Sequence, residues 1–214
     1  MKTTQTIAGL ILFIIFSHTS WGHNTMADST AMENTETATF GAGCFWCVEA
    51  IFQSLDGVHS VESGYAGGNV ERPTYDDVTS GNSGHAEVCQ IAYDPKIISY
   101  SDLLMVFWQT HDPTTLNRQG SDVGTQYRSV IFFHNKGQQE LAVEYKKQLD
   151  LTGSWSKPII TQIEAFTKFY KAENYHQEYF YVNPNAPYCK YIIQPKLDKF
   201  EKVFKDKLKS DSSN

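Results

Sequence analysis

Two cysteines three positions apart, Cys44 and Cys47, follow a run of small residues, Gly41-Ala42-Gly43, and enclose two large aromatics, Phe45 and Trp46. Thiols do nucleophilic and redox chemistry as thiolates, so the question is what favours their ionisation. Phe45, Val48, Ile51, Phe52 and Leu55 recur at helical spacing, which puts Cys44 at or beside the first turn of a helix. Unpaired N–H groups and the positive end of the helix dipole favour an anion there. Cys44 is therefore expected to ionise more easily than a free thiol, whose pKa is about 8.5. The plainer alternative is a small buried core thiol. Glycines before it and aromatics after it argue instead for a thiol at a pocket mouth.

Further groups could work with such a thiol. Glu87 follows Gly84-His85-Ala86 near the start of an apolar, alternating stretch. A carboxyl in such a setting keeps its proton and can serve as a general acid near neutral pH, although an exposed edge-strand glutamate fits the same residue. Tyr65 and Tyr127 each stand where an extended stretch meets a loop. Their hydroxyls could donate to a substrate oxygen, core packing being the commoner use of tyrosine. Asp122, in Gly120-Ser121-Asp122-Val123-Gly124, could order a loop or a water, or simply close an Asx-turn. Cys89 reads as a buried strand thiol on the same side of its strand as Glu87.

The elements that must hold these groups alternate between strand and helix. Strands are expected over 37–40, 58–65, 86–93, 129–134 and 159–166, and helices after Cys44, after Ser99 or Ser101, after Asn135, over 174–181 and over 196–209. The stretches 66–84 and 111–127 read as long loops, and loops of that length in a compact domain are usually functional. Residues 183–189, Asn183-Pro184-Asn185-Ala186-Pro187-Tyr188-Cys189, read as coil. There is no internal repeat and no Rossmann or phosphate-loop signature. The pattern predicts an α+β fold: a two-layer sandwich, with a mixed β-sheet, helices packed on it, a ferredoxin-like core and long functional loops.

The 214 residues, 41% hydrophobic and 20% charged, allow one ordinary domain with tails. A formal net charge of -6 gives no reason to expect nucleic acid or an anionic membrane as partner. At the N-terminus Lys2, the apolar run from Ile7 to Phe16, and Ser20-Trp21-Gly22 follow the layout of a secretory signal with a cut before His23. The run is short for a permanent anchor, which needs about 20 residues. An exported protein, periplasmic or secreted, is expected, an uncleaved signal acting as anchor being the alternative.

Several blocks occur together and in order: Gly43-Cys44-Phe45-Trp46, Ser63-Gly64-Tyr65-Ala66-Gly67-Gly68, Gly84-His85-Ala86-Glu87-Val88, Tyr93-Asp94-Pro95, His111-Asp112-Pro113-Thr114, the run from Gln119 to Ser129, and Tyr175-His176-Gln177. Together they resemble peptide-methionine sulfoxide reductase A, the class specific for the S epimer. The resemblance implies that Cys44 attacks the sulfoxide sulfur and Glu87 protonates its oxygen. It implies that Tyr65 and Tyr127 hydrogen-bond that oxygen, that Phe45 and Trp46 wall the substrate methyl group, and that Asp122 supports the site. The products are methionine, free or in protein, and a Cys44 sulfenic acid. That acid then condenses with a second thiol, and a thioredoxin-like protein reduces the disulfide; dithiothreitol serves in vitro. No metal or organic cofactor is implied.

Cys189 matches the family's recycling cysteine, and reach from a coil favours it. Cys47, where much of the family has glycine, is the alternative. The expected organisation is a signal peptide over 1–22, a disordered linker over 23–36, the catalytic domain over 37–210 and a disordered tail over 211–214, working as a monomer. A thioredoxin-like disulfide oxidoreductase built on Cys44 and Cys47 leaves the tyrosine and glycine-rich blocks without a purpose. A zinc protein would want two close cysteine pairs, and Cys89 and Cys189 stand alone.

Overall fold

The computed structural model describes residues 34–210. The expected signal peptide, most of the expected linker and the tail lie outside the described residues. The chain enters its sheet at Glu36, inside the expected linker.

The strands are β1 (Glu36–Ala42), β2 (Val58–Ala66), β3 (Ala86–Tyr93), a small hairpin β4 (Arg118–Gln119) and β5 (Asp122–Val123), β6 (Ser129–Phe133), β7 (Gln162–Ala165) and β8 (Phe169–Lys171). The helices are α1 (Phe45–Gln53), α2 (Tyr75–Thr79), α3 (Tyr100–Gln109), α4 (Lys136–Thr152), α5 (Tyr179–Val182) and α6 (Gln194–Val203). Six strands form one sheet in the order β7-β6-β1-β3-β2-β8, antiparallel except for the β6–β7 pair. Its inner four strands, with α1 joining β1 to β2 and α3 joining β3 to β6, make the expected ferredoxin-like core.

Both inner helices lie on one face. The rings of Phe52 from α1 and of Tyr100 and Phe107 from α3 surround Phe40 of β1 at centroid distances of 5.7, 5.9 and 5.1 Å. The other face carries a smaller cluster of Ala66, Ala86, Val88, Val130 and Phe132 under Phe166 and Phe169. Covering both faces explains why most of β3 is buried. Helix starts follow local chemistry. Ser99 and Asp102 form a capping box at α3, as do Thr74 and Asp77 at α2, and Asn135 Oδ1 accepts the Gln138 amide at 3.0 Å at α4.

Several expectations change. The stretch 66–84 contains helix α2, and 111–127 contains the β4–β5 hairpin and a one-turn helix over Thr125–Tyr127. The strand over 159–166 shortens to Gln162–Ala165. The helix over 174–181 breaks at Glu178, whose left-handed backbone (φ 52°) separates a turn at Asn174–His176 from α5. Cys189 is not in a coil: a helical run begins at Pro187, widens to a π-helical segment over Cys189–Ile193 and continues into α6. Buried Cys189, Ile193, Leu197 and Phe200 hold that run on the core, where packing overrides the turn-forming residues before it.

Phe40 is fully buried at the meeting point of sheet and helices. Phe40→Ala is expected to lower the free energy of unfolding by about 3–5 kcal/mol, read from urea denaturation at unchanged slope.

Candidate active site

The end of β1 delivers the chain to α1 through Gly43, which adopts φ +90° and whose Cβ, if present, would stand 2.6 Å from the Gln119 side chain. Only glycine takes that turn without strain. Cys44 follows as the N-cap, and its carbonyl accepts the amides of Cys47 at 3.1 Å and Val48 at 3.4 Å. The first amide of α1, that of Phe45, donates to Glu87 Oε2 at 3.1 Å. Glu87 comes from β3, where it pairs across the ladder with Tyr65 of β2. Strand and helix are thus tied by the expected acid and by the residue that follows the expected nucleophile.

Cys44, Phe45, Trp46, Glu87, Asp122 and Tyr127 line one cleft of about 60 Å³, together with Tyr75 and Tyr188. That is far below the roughly 300–1,000 Å³ of a drug-sized site and suits one small polar group with its apolar substituent. A larger cavity, about 620 Å³ between α3, α4 and α6, is lined by no thiol. Volume alone would point to the wrong place.

The aromatic wall is locked from behind. Trp46 stacks on Tyr179 (centroids 3.7 Å apart, planes at 7°), and its Nε1–H donates to His176 Nδ1 at 3.2 Å. Tyr65 does not line the cleft. Its hydroxyl donates to Glu173 Oε2 at 2.8 Å, while its ring backs Phe45 at 6.0 Å. Glu173 Oε1 accepts the Tyr75 amide at 2.9 Å, so one carboxylate holds both Tyr65 and the start of α2. Tyr188 donates to Asp122 Oδ2 at 2.7 Å, and its hydroxyl oxygen lies 4.0 Å from Cys47 Sγ.

Burial sets the protonation states. It pushes the Glu87 carboxyl up to about 8 against the lowering effect of the Phe45 amide, with Asp122 and Cys47 raising it further. Glu87 is therefore a neutral acid at pH 7. Burial also raises the phenols of Tyr75, to about 12, and of Tyr127, each with the Glu87 charge as the next cause, so both remain donors.

The expected easy ionisation of Cys44 is corrected here. Burial pushes its thiol well up, its hydrogen bond to Cys47 and the Glu87 charge add to this, and the helix amide that could have stabilised a thiolate is engaged by Glu87. Its partner moves the other way. Cys47 is drawn down to about 7, chiefly by the hydrogen bond from Cys44 and, against burial, by Lys196 and Tyr188. The two sulfurs behave as a pair that gives up its first proton near neutrality.

Cys89 is fully buried on β3, where its S–H reaches the Phe45 carbonyl at 3.4 Å, and it lines neither cavity that Cys44 lines. Cys189 is likewise buried away from both, although the charge of Cys47 is felt at its thiol. Tyr75 and Tyr188 were missed in the sequence. The capping pattern Thr74-x-x-Asp77 could have announced the helix that presents Tyr75, whereas nothing near Tyr188 marks it.

A family model described as peptide methionine sulfoxide reductase matches residues 36–208. A peptide methionine sulfoxide reductase MsrA of Natronomonas pharaonis is 54% identical over 176 residues, covering 82% of this chain and 99% of its own length. One from Saccharolobus solfataricus is 49% identical over 174 residues, covering 81% and 97%. Among solved structures, reduced Mxr1 from Saccharomyces cerevisiae superposes with a TM-score of 0.68 at 36% identity, over 73% of this chain and 90% of that one. Methionine sulfoxide reductase A of Corynebacterium diphtheriae superposes with a TM-score of 0.66 at 34% identity, over 72% and 77%. With its thiol and its neutral acid in one aromatic cleft, the chain belongs to the peptide methionine sulfoxide reductase family and is an oxidoreductase.

Proposed function

We propose that this chain reduces the S epimer of methionine sulfoxide, free or within oxidised proteins, and so repairs oxidative damage. The observation that carries the reading is the shared cleft, with the Cys44 sulfur, the protonated Glu87 carboxyl and the Trp46 wall around one small space. Trp46 and Phe45 receive the S-methyl group, and Tyr127 and Tyr75 donate to the sulfoxide oxygen. Tyr65 acts from behind through Phe45 and Glu173, and Asp122 acts through Tyr188.

The Cys44 proton passes along its hydrogen bond to Cys47, and the Cys44 sulfur attacks the sulfoxide sulfur. Glu87 gives its proton to the oxygen as the S=O bond is lost. A water, equivalent to the oxygen just lost, then adds to the Cys44 sulfur as the bond between the two sulfurs breaks with its electron pair going to methionine. Cys44 is left as a sulfenic acid, and methionine leaves with two more electrons than it brought. The next step joins that sulfenic acid to a second thiol as a disulfide with loss of water. The cavity that Cys44 and Cys47 both border favours Cys47 for this first disulfide. Cys189, expected from the coil reading, is buried in a helix and must first be released. A thioredoxin-like dithiol then reduces the enzyme. No metal or organic cofactor takes part. We also propose that the chain is exported, on the strength of the N-terminal pattern at 1–22 alone.

Glu87→Gln is expected to slow the first turnover by about 10²-fold or more, measured as methionine formed by rapid quench. Near-wild-type rates would overturn the acid assignment. Because the Glu87 carboxyl is raised to about 8, the wild-type first-turnover rate falls as pH rises through about 8, and the variant lacks this limb. The linkage has the same sign. Between its ordinary 4.5 and about 8 the folded chain holds a proton that the unfolded chain has shed. Stability therefore declines across that window, less so in Glu87→Gln.

Cys47→Ser is expected to lose recycling by thioredoxin, with dithiothreitol restoring turnover in part by reducing the sulfenic acid directly. Loss in Cys189→Ser alone would assign the first disulfide to Cys189. Mass spectrometry of the product after one turnover reads the linkage and the mature N-terminus together.

A further inference from the structure

Cys44 borders two cavities. The substrate cleft touches Cys44 but not Cys47, whereas a second cavity of about 200 Å³ touches both sulfurs. The hydrogen-bonded pair Tyr188–Asp122 borders both and forms the partition between them. The rim of the second cavity is the β4–β5 turn, Gly120 and Ser121, facing Ile192 and Lys196. The π-helical segment over Cys189–Ile193 is what carries the chain from Tyr188 in the partition to Ile192 on the rim, a use to which such widened turns are often put.

Lys196 is the unusual residue here. It is half-buried on α6 and, among the described residues, takes part in none of the ion pairs. Its charge acts on Cys47. The protein as a whole carries a net charge of -6, so a thiolate arriving from solvent meets general repulsion and needs a local cation to bring it in.

We propose that this second cavity is the entry port for the reductant: an external dithiol reaches the Cys44–Cys47 disulfide through it, guided by Lys196, on the side opposite the sulfoxide cleft. The proposal rests on the disulfide assigned above. The incoming thiolate attacks Cys47 Sγ. A sulfur–sulfur bond forms to the reductant, and the Cys44–Cys47 bond breaks with its electron pair going to Cys44, which takes up a proton in its buried setting. The reductant's second thiolate then attacks its own mixed-disulfide sulfur, and Cys47 departs as a thiolate beside Lys196. The reductant is oxidised by two electrons and the enzyme returns to two thiols. Separate doors let methionine leave one side while reduction proceeds on the other.

The test uses enzyme oxidised by one equivalent of methionine sulfoxide, each rate being taken on protein that has delivered its methionine. Lys196→Glu is expected to slow reduction by dithiothreitol and by thioredoxin on the order of tenfold, and Lys196→Arg to restore it. Ile192→Trp, at a position 41% exposed, narrows the rim and should slow thioredoxin at least as much. Thioredoxin whose second active-site cysteine is serine should be trapped on Cys47. Trapping on Cys44 or Cys189, or reduction of Lys196→Glu and Ile192→Trp within twofold of wild type, overturns the port. Absence of methionine, or of a Cys44–Cys47 linkage after the first turnover, instead overturns the function on which the port rests.

Discussion

A single hydrogen bond, from the Phe45 amide to the Glu87 carboxyl, joins the two halves of the chemistry. The helix that begins at Phe45 needs an acceptor for its first amide, and the Cys44 side chain does not cap it. β3 supplies that acceptor from the floor of the sheet. The carboxyl that caps the helix is the one that holds a proton toward the cleft, so its position is determined by secondary structure and not by a mobile side chain. Burial then does two things at once. It keeps Glu87 neutral, and it keeps Cys44 protonated until a partner relieves it.

That pairing explains the role of the surrounding aromatics. A thiol and a carboxylic acid in a space of about 60 Å³ are useful only if water is kept out and the walls do not move. Trp46 is held by Tyr179 and His176, and Phe45 by Tyr65 and His176. Most of these props come from 173–179, a segment that is itself anchored to the sheet. Gln177 accepts the Ser63 amide at 3.1 Å, and Glu173 receives the Tyr65 hydroxyl and the Tyr75 amide. Buried Glu49 on α1, its carboxyl raised to about 7 by burial, is felt by the same segment, whose Glu178 and Tyr179 amides act to lower it. The wall is thereby part of the core.

The sulfur pair is a different design. Cys44 caps α1, Cys47 lies in its first turn and both border one cavity, while Tyr188 from the C-terminal run lies 4.0 Å from the second sulfur and the charge of Lys196 acts on it. Each thiol shifts the ionisation of the other, so neither titrates as an isolated group. The helical rather than coiled form of the run after Pro187 matters here: it places Tyr188 as a partition and buries Cys189 behind it.

Much of this was legible in the chain. Period-two and period-3.6 patterns located the inner strands and the helices after Cys44, Ser99 and Asn135, because those signals are local. The residue types and order of the blocks around Cys44, Glu87, Asp122 and Tyr127 indicated the chemistry. The tertiary structure alone decided the rest. It turned Tyr65 away from the cleft toward Glu173, brought in Tyr75 and Tyr188, folded Cys189 into a helix and reversed the expected ionisation of Cys44. Each of these depends on which groups become neighbours across long stretches of chain, and on how much water burial removes. Spacing along a chain encodes the period of an element; it does not encode the dielectric around a sulfur or the partner of a hydroxyl.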